Sequence, residues 1–319
     1  MMFTNVLVLH TSLLRTLPLI LAAILAILPS STSADSREQE INESALKGWG
    51  FLAYHLAQRG MKEKEVRSIF LNKLMPKFAF VPFAVNPKEP SRIYAHFLAP
   101  KKVSRTKSYL STHSKYFTVA EKQSLIPREI IAAILLVETD LGHYTGSYSI
   151  LPQLARLANA GSRQNVERNY KRLLDDGEEV TLEQVAARGR YLFELFVVEV
   201  EAAVRIAHER GFSPFSIKGS RAGAFGYPQF LPSSFERFAQ DGNSDGVISL
   251  FQHPDAIVSI GKFLSYHVGE KPLSEESLRG AIFEYNRSQP YVDAVWNLAV
   301  AVGLSLDDEG KERDFSEQH

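Results

Sequence analysis

Apolar side chains recur at helical spacing along most of the chain. Between positions 44 and 59, Leu46, Phe51, Leu52 and Leu56 fall on one face of a 3.6-residue period, which predicts an amphipathic helix. The same period predicts helices over 61–75, 91–98, 107–123, 127–139, 165–174, 182–210, 254–267, 275–285 and 290–302. We find neither a long alternating strand series nor a repeat of roughly 20 to 50 residues, so the predicted fold class is mainly α.

Three internal segments depart from the helical period. The range 78–90 holds three prolines among aromatic and β-branched residues, which predicts extended or irregular backbone. The loop 218–234 is rich in glycine, proline and aromatic residues, and the loop 241–255 is acidic and turn-forming. We therefore expect a linker over 35–43, one domain over 44–305 with an insertion at 241–255, and a flexible charged tail over 306–319.

The first 34 residues have the pattern of an export signal. A single charge, Arg15, precedes an apolar run from Leu17 to Leu28, and small residues such as Thr32 and Ala34 follow. The run is about a dozen residues long, whereas a simple membrane-spanning helix needs roughly 20. We therefore expect a signal peptide over 1–34, with an uncleaved membrane anchor as the alternative.

Composition excludes several classes of function. The 36 Lys and Arg residues balance 36 Asp and Glu residues, and this neutrality argues against a nucleic-acid binder driven by a broad positive field. The chain has no cysteine, so it has no disulfides, thiolate zinc sites, thiol nucleophiles or lipid-bearing cysteine. Its 45% hydrophobic and 23% charged residues are those of a globular protein, which must be stabilised by packing.

One carboxylate lies on an apolar helix face. In the predicted helix 127–139, apolar residues stand three, four and seven positions before Glu138 and share its face. Desolvation and the negative end of the helix dipole would both raise the pKa of Glu138, which suits a general acid near neutral pH. Alternatively, Glu138 leaves the core at the helix end and meets water or a cation such as His143 or Arg156. The spacing alone does not decide between these interpretations.

Three ordered motifs carry a family resemblance. Around Glu138 the chain has LVETDLG (136–142), which resembles the V-E-T-x-x-G signature of the membrane-bound lytic transglycosylase B family, whose members cleave peptidoglycan. The loop KGSRAGAFGYPQFLPSS (218–234) resembles the family's G-S-x-A-G-A-x-G-x-x-Q-F-x-P-S-S loop. The segment YNRSQPYV (285–292) is similar to its Y-N-x-S-x-x-Y-V segment. The resemblance spans roughly 44–304 and implies a lysozyme-like α-helical catalytic domain with small irregular or extended insertions.

The resemblance implies a peptidoglycan lytic transglycosylase in which Glu138 is the catalytic residue. Glu138 would protonate the glycosidic oxygen between N-acetylmuramic acid and N-acetylglucosamine, and then act as base towards the muramyl 6-hydroxyl. That hydroxyl closes a 1,6-anhydro ring without consuming water. Most glycosidases use two carboxylates, but the nearest second one, Asp140, points away from the face of Glu138. A muramidase-type hydrolase and a non-catalytic peptidoglycan-binding scaffold are the alternatives.

The resemblance also implies a set of substrate-binding residues in the second and third motifs. Ser220 would orient the catalytic carboxylate, Gln229 can donate and accept hydrogen bonds, and the aromatic side chains offer faces to pyranose rings. Taken by the residues alone, a buried tyrosine and an asparagine helix cap is the favoured interpretation of positions 285 and 286. The predicted set is Ser220, Gln229, Tyr227, Phe230, Tyr285, Asn286 and Tyr291.

The acidic loop has the spacing of an EF-hand calcium loop. Oxygen-bearing side chains occupy positions 1, 3 and 5, glycine position 6 and an apolar residue position 8. Position 12 is Gln252, which lacks the usual carboxylate, so Asp255 would replace it. The predicted ligands of a weak structural calcium ion are Asp241, Asn243, Asp245, Val247 and Asp255. An Asx-Gly turn without metal is the alternative, and the chemistry itself is expected to need no cofactor.

The chain also departs from the family pattern. The departures are at Asp140, at Pro228 and in an enlarged connection over 161–183. They put the preferred substrate length in doubt more than the reaction. The family's frequent lipid-bearing cysteine is absent. The resemblance therefore implies an exported, periplasmic monomer that acts on peptidoglycan glycan strands. Cell-wall synthesis or division proteins are the candidate partners, and nucleic acid is not expected.

Overall fold

The computed structural model describes residues 46–87 and 89–306, and within these ranges the chain is mainly helical, as predicted. The α-helices of the described part are α1 (Gly50–Gln58), α2 (Glu63–Phe70), α3 (Pro100–Thr112), α4 (Ser114–Ser124), α5 (Arg128–Thr139), α6 (Ile150–Ala158), α7 (Arg163–Asp175), α8 (Leu182–Glu209), α9 (Pro232–Phe238), α10 (His253–Val268), α11 (Glu275–Tyr285) and α12 (Gln289–Val302). Short 3₁₀ segments cover Ser91–Ile93, Ala95–Leu98 and Asn159–Gly161. Strands β1 (Tyr148–Ser149) and β2 (Lys218–Gly219) pair in a two-stranded sheet.

Several sequence predictions fall outside the described residues. These are the export segment over 1–34, the linker over 35–43 and all but the first residue of the tail over 306–319. Every helix within 46–87 and 89–306 is too short or too polar to cross a membrane.

Several helix predictions need correction. The range predicted as a helix over 91–98 forms two 3₁₀ segments instead, and the short helix α9 was not predicted. The range predicted as one helix over 107–123 is divided between α3 and α4, because His113 has a ψ of 19° and interrupts the helical path. Helix α6 was not predicted, although Pro152 in its first turn is compatible with a helix start. Helix α7 occupies much of the enlarged connection over 161–183, so that connection is ordered and largely helical.

The described residues form two compact units, where the sequence suggested one domain over 44–305. Unit 1 contains 89–148 and 218–306, and unit 2 contains 46–87 and 149–217. Each unit is therefore assembled from two separate stretches of chain.

Unit 2 is organised by the 28-residue helix α8, which packs against α1, α6 and α7. A capping box starts this helix. The Thr181 hydroxyl accepts from the backbone N–H of Gln184 at 3.2 Å, and the Gln184 side chain accepts from the N–H of Thr181 at 2.8 Å. These two bonds satisfy backbone donors that a helix start leaves unpaired.

Buried asparagines hold the segment that was predicted to be extended. The N–H of Val81 donates to Oδ1 of Asn165 at 2.8 Å, and the N–H of Phe83 donates to Oδ1 of Asn169 at 3.0 Å. The amide nitrogens of both asparagines donate back to the carbonyl of Val81, at 3.1 and 2.8 Å. These amides replace the neighbouring strand that an extended backbone would otherwise need.

In unit 1, helix α5 lies at the centre of the packing. It contacts α3, α4, α10 and α12, and the side chains from Ile130 to Leu136 are all buried. A helix that is apolar on all sides is expected in such a position. Because α5 is enclosed, its C-terminal turn is fixed with respect to the four helices around it.

We expect Asn169→Ala to destabilise the protein by about 2–3 kcal/mol. The substitution removes the hydrogen bonds that the Asn169 side chain forms with the Phe83 N–H and the Val81 carbonyl. The buried N–H of Phe83 is then left without its partner. Urea unfolding measures the change. The matched control is Gln164→Ala on the exposed side of α7, which should stay within about 0.5 kcal/mol of wild type. Equal midpoints for the two variants would contradict this role of Asn169.

Candidate active site

Glu138 lies in the last turn of α5, one residue before the helix ends at Thr139. The chain then leaves the helix through Asp140 and Leu141, which both have left-handed backbone angles with φ of 55° and 62°. The N–H of Leu141 donates to the carbonyl of Leu135 at 3.0 Å, which closes the helix end as in a Schellman motif. The helix therefore ends at Thr139, as the predicted range 127–139 indicates, with Asp140 as its C-cap.

The hydroxyl of Tyr291 donates a hydrogen bond to Oε1 of Glu138 at 2.6 Å. Tyr291 comes from the first turn of α12 and is only 1% exposed. The ring of Tyr291 is buried, and the expected binding of substrate by this residue stays a prediction. The Tyr291 hydroxyl contacts the Glu138 carboxylate of the first motif. His143, one cation of the alternative interpretation, bonds the carbonyl of Asp140 through Nδ1 at 2.8 Å.

The surroundings of Glu138 raise its pKa to about 7. Burial is the largest cause, the hydrogen bond from Tyr291 acts in the opposite direction, and the negative charge of Glu89 raises the pKa further. A carboxyl group with this pKa is both protonated and ionised in comparable amounts at neutral pH. It can therefore give up a proton and take one back, as a general acid and base must.

Glu89 is a second carboxylate at this site, and sequence reasoning missed it. One oxygen accepts from the Tyr94 hydroxyl at 2.9 Å, and the other accepts a short hydrogen bond from the Ser288 hydroxyl. Ser288 is the N-cap of α12, three residues before Tyr291. Glu89 stands alone in a proline-rich segment with no periodicity, so nothing in its local sequence signals a role.

Asp140, the nearest carboxylate in sequence, has a different environment. It forms a short ion pair with Lys102 and a second ion pair with Arg105 at 3.0 Å. Partial burial opposes ionisation, but the hydrogen bonds and charges of the two cations outweigh it and lower the pKa of Asp140. Asp140 is therefore held as a paired anion at the helix end, in agreement with its expected orientation away from Glu138.

The loop 218–234 folds back on itself, and its aromatic side chains do not all face outwards. Phe225 and Phe230 exchange backbone hydrogen bonds at 2.9 and 3.1 Å. Phe230 is 3% exposed and packs against Phe263 and Tyr285, with ring centroids 5.8 and 5.9 Å away. Core side chains therefore cover the ring of Phe230, and its predicted stacking on a sugar stays a prediction.

The polar residues predicted in this loop mainly support the backbone. The amide nitrogen of Gln229 donates to the carbonyls of Thr145 and Gly226, at 3.1 and 2.9 Å. The backbone of Ser220 pairs with that of Ala224, while the hydroxyl that bonds Glu138 belongs to α12 instead. The amide nitrogen of Gln229 is thus committed to the protein, and its amide oxygen is the part left for a ligand.

Three predicted residues remain partly exposed around this loop. Tyr227 packs beside His253 with ring centroids 4.7 Å apart, and a Cβ atom at Gly142 would lie 3.1 Å from the Tyr227 ring. The Tyr285 hydroxyl donates to the carbonyl of Pro228 at 2.5 Å. Asn286 is the C-cap of α11, as its alternative interpretation held. Glycine at 142 therefore allows the end of α5 to approach the Tyr227 ring closely.

The acidic loop 241–255 is held by its own backbone amides. The Asp241 carboxylate accepts from the N–H groups of Ser244 and Gly246, at 2.7 and 2.8 Å. The fully buried Asp255 accepts from Gly242 and Ser249, at 2.9 and 2.6 Å. Within 46–87 and 89–306, no group of three or more His, Asp and Glu side chains is arranged to hold a metal ion. These are the bonds of Asx turns, and calcium binding stays a prediction.

Residues 47–272 match the Transglycosylase SLT domain family. The chain belongs to this family. Over 171 residues it is 31% identical to the membrane-bound lytic murein transglycosylase B of Escherichia coli strain K12, a match that covers 54% of this chain and 40% of that relative. The match thus spans less than half the length of that relative. Family membership confirms the resemblance carried by the three motifs and the prediction of a transglycosylase enzyme domain.

Solved structures of lytic transglycosylases share the fold of this chain. SLT35 of Escherichia coli, solved in complex with bulgecin A, has a TM-score of 0.58 at 22% identity, over 80% of this chain and 92% of that one. SLT35 has also been solved in complex with calcium. SltB3 of Pseudomonas aeruginosa, in complex with NAG-anhNAM-pentapeptide, has a TM-score of 0.55 at 17% identity, over 85% and 80% of the two chains. The predicted lysozyme-like helical fold is confirmed.

In the transglycosylase domain, we expect Glu138→Gln to stabilise the protein increasingly as the pH rises from about 4.5 to about 7. The folded protein holds the Glu138 proton more tightly than the unfolded chain, so wild type loses stability as the unfolded chain ionises. The loss is complete once both states are ionised. Glutamine avoids this cost, and the gain should reach roughly 1–3 kcal/mol above pH 7.

Urea unfolding at pH 4, 6 and 8 measures the effect. Glu284→Gln is the matched control, because Glu284 is exposed and paired with Arg287 at the surface. It should show no comparable trend. A gain for Glu138→Gln that is the same at all three pH values would contradict the raised pKa.

Proposed function

We propose that this protein is a lytic transglycosylase that cleaves the β-1,4 bond between N-acetylmuramic acid and N-acetylglucosamine in peptidoglycan glycan strands. Glu138 acts first as acid and then as base, and the product carries a 1,6-anhydro end. The observation that carries the proposal is the environment of Glu138, a desolvated carboxyl group bonded to Tyr291 with a pKa of about 7. The substrate class follows from the murein named for the Escherichia coli relative and from the muropeptide bound by SltB3.

In the first step, protonated Glu138 gives its proton to the glycosidic oxygen. The bond from that oxygen to C1 of the muramyl ring breaks, and its electron pair leaves with the N-acetylglucosamine as a 4-hydroxyl group. Positive charge develops at C1, and Glu138 becomes an anion. The Tyr291 hydroxyl stabilises this anion, because a hydrogen bond to the charged form favours it.

In the second step, the muramyl 6-hydroxyl attacks C1 of its own ring and its proton passes to Glu138. The bond between O6 and C1 closes the anhydro ring, Glu138 regains the proton it gave up, and no water is consumed. This route requires no carboxylate nucleophile. It is supported by the state of Asp140, which is held between Lys102 and Arg105.

Substrate contact is proposed for the side chains that stay partly exposed beside the loop 218–234. Tyr227 and Tyr285 each present part of a ring, and Asn286 presents an amide at the junction of α11 and α12. The amide oxygen of Gln229 can accept a hydrogen bond from a sugar. For Ser220 we propose a contact with the substrate through its hydroxyl.

We also propose that the loop 241–255 binds a structural calcium ion. Asp241, Asn243 and Asp245 bring hard oxygen atoms onto one turn, and the amide of Asn243 already bonds the carboxylate of Asp245 at 2.8 Å. The carbonyl of Val247 and the carboxylate of Asp255 complete the proposed ligands. The donor set suits calcium in part, since no bidentate glutamate is present at position 12. Calcium would stabilise the loop and take no part in the reaction.

The place of action is proposed from the export pattern of residues 1–34. An exported protein in the periplasm meets peptidoglycan directly, and we propose that it acts there as a monomer. Proteins of cell-wall synthesis or division are the proposed partners.

We expect Glu138→Gln to lower the rate of glycan cleavage by at least about a thousandfold, because an amide can neither donate nor recover the proton. Purified sacculi are digested with wild type and variant, and the muropeptides are analysed by mass. Wild type should release products with 1,6-anhydro ends. Glu284→Gln is the control and should cleave like wild type.

Each rival function has its own outcome in this digestion. Reducing muramyl ends from wild type would indicate a muramidase-type hydrolase. Intact sacculi with wild type, or equal cleavage by wild type and Glu138→Gln, would contradict the proposed acid and base.

We expect millimolar calcium to raise the melting temperature by about 2–4 °C relative to chelator, because a ligand selective for the folded state stabilises it. Asp245→Asn removes one proposed ligand charge and should abolish most of this rise. Asp293→Asn, an acid outside the loop, is the matched control and should keep it. The same melting temperature with calcium and with chelator would count against the site.

A further inference from the structure

Glu89 makes contacts that the two-step reaction above does not use. Its two oxygens are bonded from separate parts of the chain, one by Tyr94 between the two 3₁₀ segments before α3 and the other by Ser288 at the start of α12. Ser288 is 199 residues away in sequence. A carboxylate held at both oxygens by hydroxyl groups has a fixed position, so its negative charge is fixed as well.

Both partners of Glu89 also contact Tyr291. The rings of Tyr94 and Tyr291 pack edge to face, with centroids 5.9 Å apart and planes at 82°. The Ser288 hydroxyl accepts from the backbone N–H of Tyr291 at 3.4 Å. Tyr291 in turn donates to Glu138. Two routes of direct contact therefore lead from Glu89 to the ring whose hydroxyl bonds the catalytic group.

We propose that Glu89 is a positioning residue of this active site, which fixes Tyr291 against Glu138 through Tyr94 and Ser288 and places a second negative charge beside it. The inference rests on the proposed function of Glu138. Ser288 has two roles here, since it caps α12 and bonds Glu89. Without Glu89, both Tyr94 and Ser288 lose a charged acceptor, and Tyr291 loses part of its support.

The charge has a consequence for the reaction. A nearby anion disfavours ionisation of Glu138, so the charge of Glu89 adds to burial in favouring the protonated acid before the first step. Three tyrosines feel the charge of Glu138, which helps to raise the pKa of each. They are Tyr94, Tyr285 and Tyr291. Asp140, at the end of the same helix, is directed away from Glu138 and pairs with Lys102 and Arg105. The tyrosines are neutral, so Glu89 is the anion that acts on Glu138.

The test measures the ionisation of Glu138 directly, with the full chain labelled with ¹³C at the glutamate carboxyl groups. The spectrum of Glu138→Gln identifies the resonance of Glu138. We expect a midpoint near pH 7 in wild type, a midpoint lower by about 0.5–1 pH unit in Glu89→Gln, and the wild-type midpoint in the control Glu284→Gln. Glu89→Asp keeps the negative charge, so the Glu138 midpoint in this variant should lie close to the wild-type midpoint. A wild-type midpoint in Glu89→Gln would overturn the proposal.

Kinetics on purified glycan strands give a second reading. In Glu89→Gln, kcat at pH 7.5 should fall roughly 3- to 10-fold with KM unchanged, and the alkaline limb should move to lower pH. Tyr94→Phe, which removes one bond and leaves the charge, should lower kcat without that move in the limb. Tyr94→Phe is the second variant if Glu89→Gln does not fold. A wild-type kcat in Tyr94→Phe would then overturn the positioning role of Glu89.

The two proposals fail in different ways. If wild type cleaves no glycan while the midpoints differ as stated, the proposed function is wrong and the role of Glu89 stands. If wild type gives anhydro products while the midpoints of wild type and Glu89→Gln coincide, the role of Glu89 is wrong and the function stands.

Discussion

The hydrogen bond between Tyr291 and Glu138 is the interaction on which the active site depends. Helix α5 is apolar on all sides, and a carboxylate in its last turn has lost much of its water. With no partner, such a group would resist ionisation strongly, and with a cation it would stay ionised at neutral pH. A single neutral hydrogen-bond donor gives an intermediate pKa, because it stabilises the anion less than a cation does. The pKa of about 7 reflects this balance.

Two positions along the chain, Asp140 has the opposite balance. It meets Lys102 and Arg105, and their charges lower its pKa although it is also partly buried. The pKa values of Glu138 and Asp140 therefore shift in opposite directions because their surroundings differ, although both are carboxyl groups. The left-handed turn at Asp140 directs its side chain to the cations of α3, while Glu138 remains on the helix. The end of the helix thus separates an acid whose pKa is raised from one whose pKa is lowered.

The sequence was sufficient for the features that depend on local pattern. The period of apolar residues predicted most helices and the apolar face of Glu138, and the prolines predicted the extended segment that buried asparagines now hold. The burial of two predicted site residues could not be foreseen, because burial is decided by packing between distant segments. Phe230 is covered by Phe263, and Tyr291 is covered within unit 1. Glu89 could not be found from sequence, since its bond to Ser288 joins residues 199 positions apart.

Several residues of the second and third motifs form hydrogen bonds that hold the loop 218–234 in place. The Thr139 hydroxyl donates to the carbonyl of Tyr227 at 2.9 Å, which ties the loop 218–234 to the end of α5. Gln229 ties it to Thr145, and Tyr285 ties it to α11 through the carbonyl of Pro228. A loop fixed at three points loses little further freedom when a ligand binds, which favours catalysis by preorganisation. Its glycines permit this close approach of backbone and ring, as at Gly142 beside Tyr227. The amide nitrogen of Gln229 therefore serves mainly to fix the loop backbone, and the partly exposed groups beside the loop are those to which the proposed function assigns substrate contact.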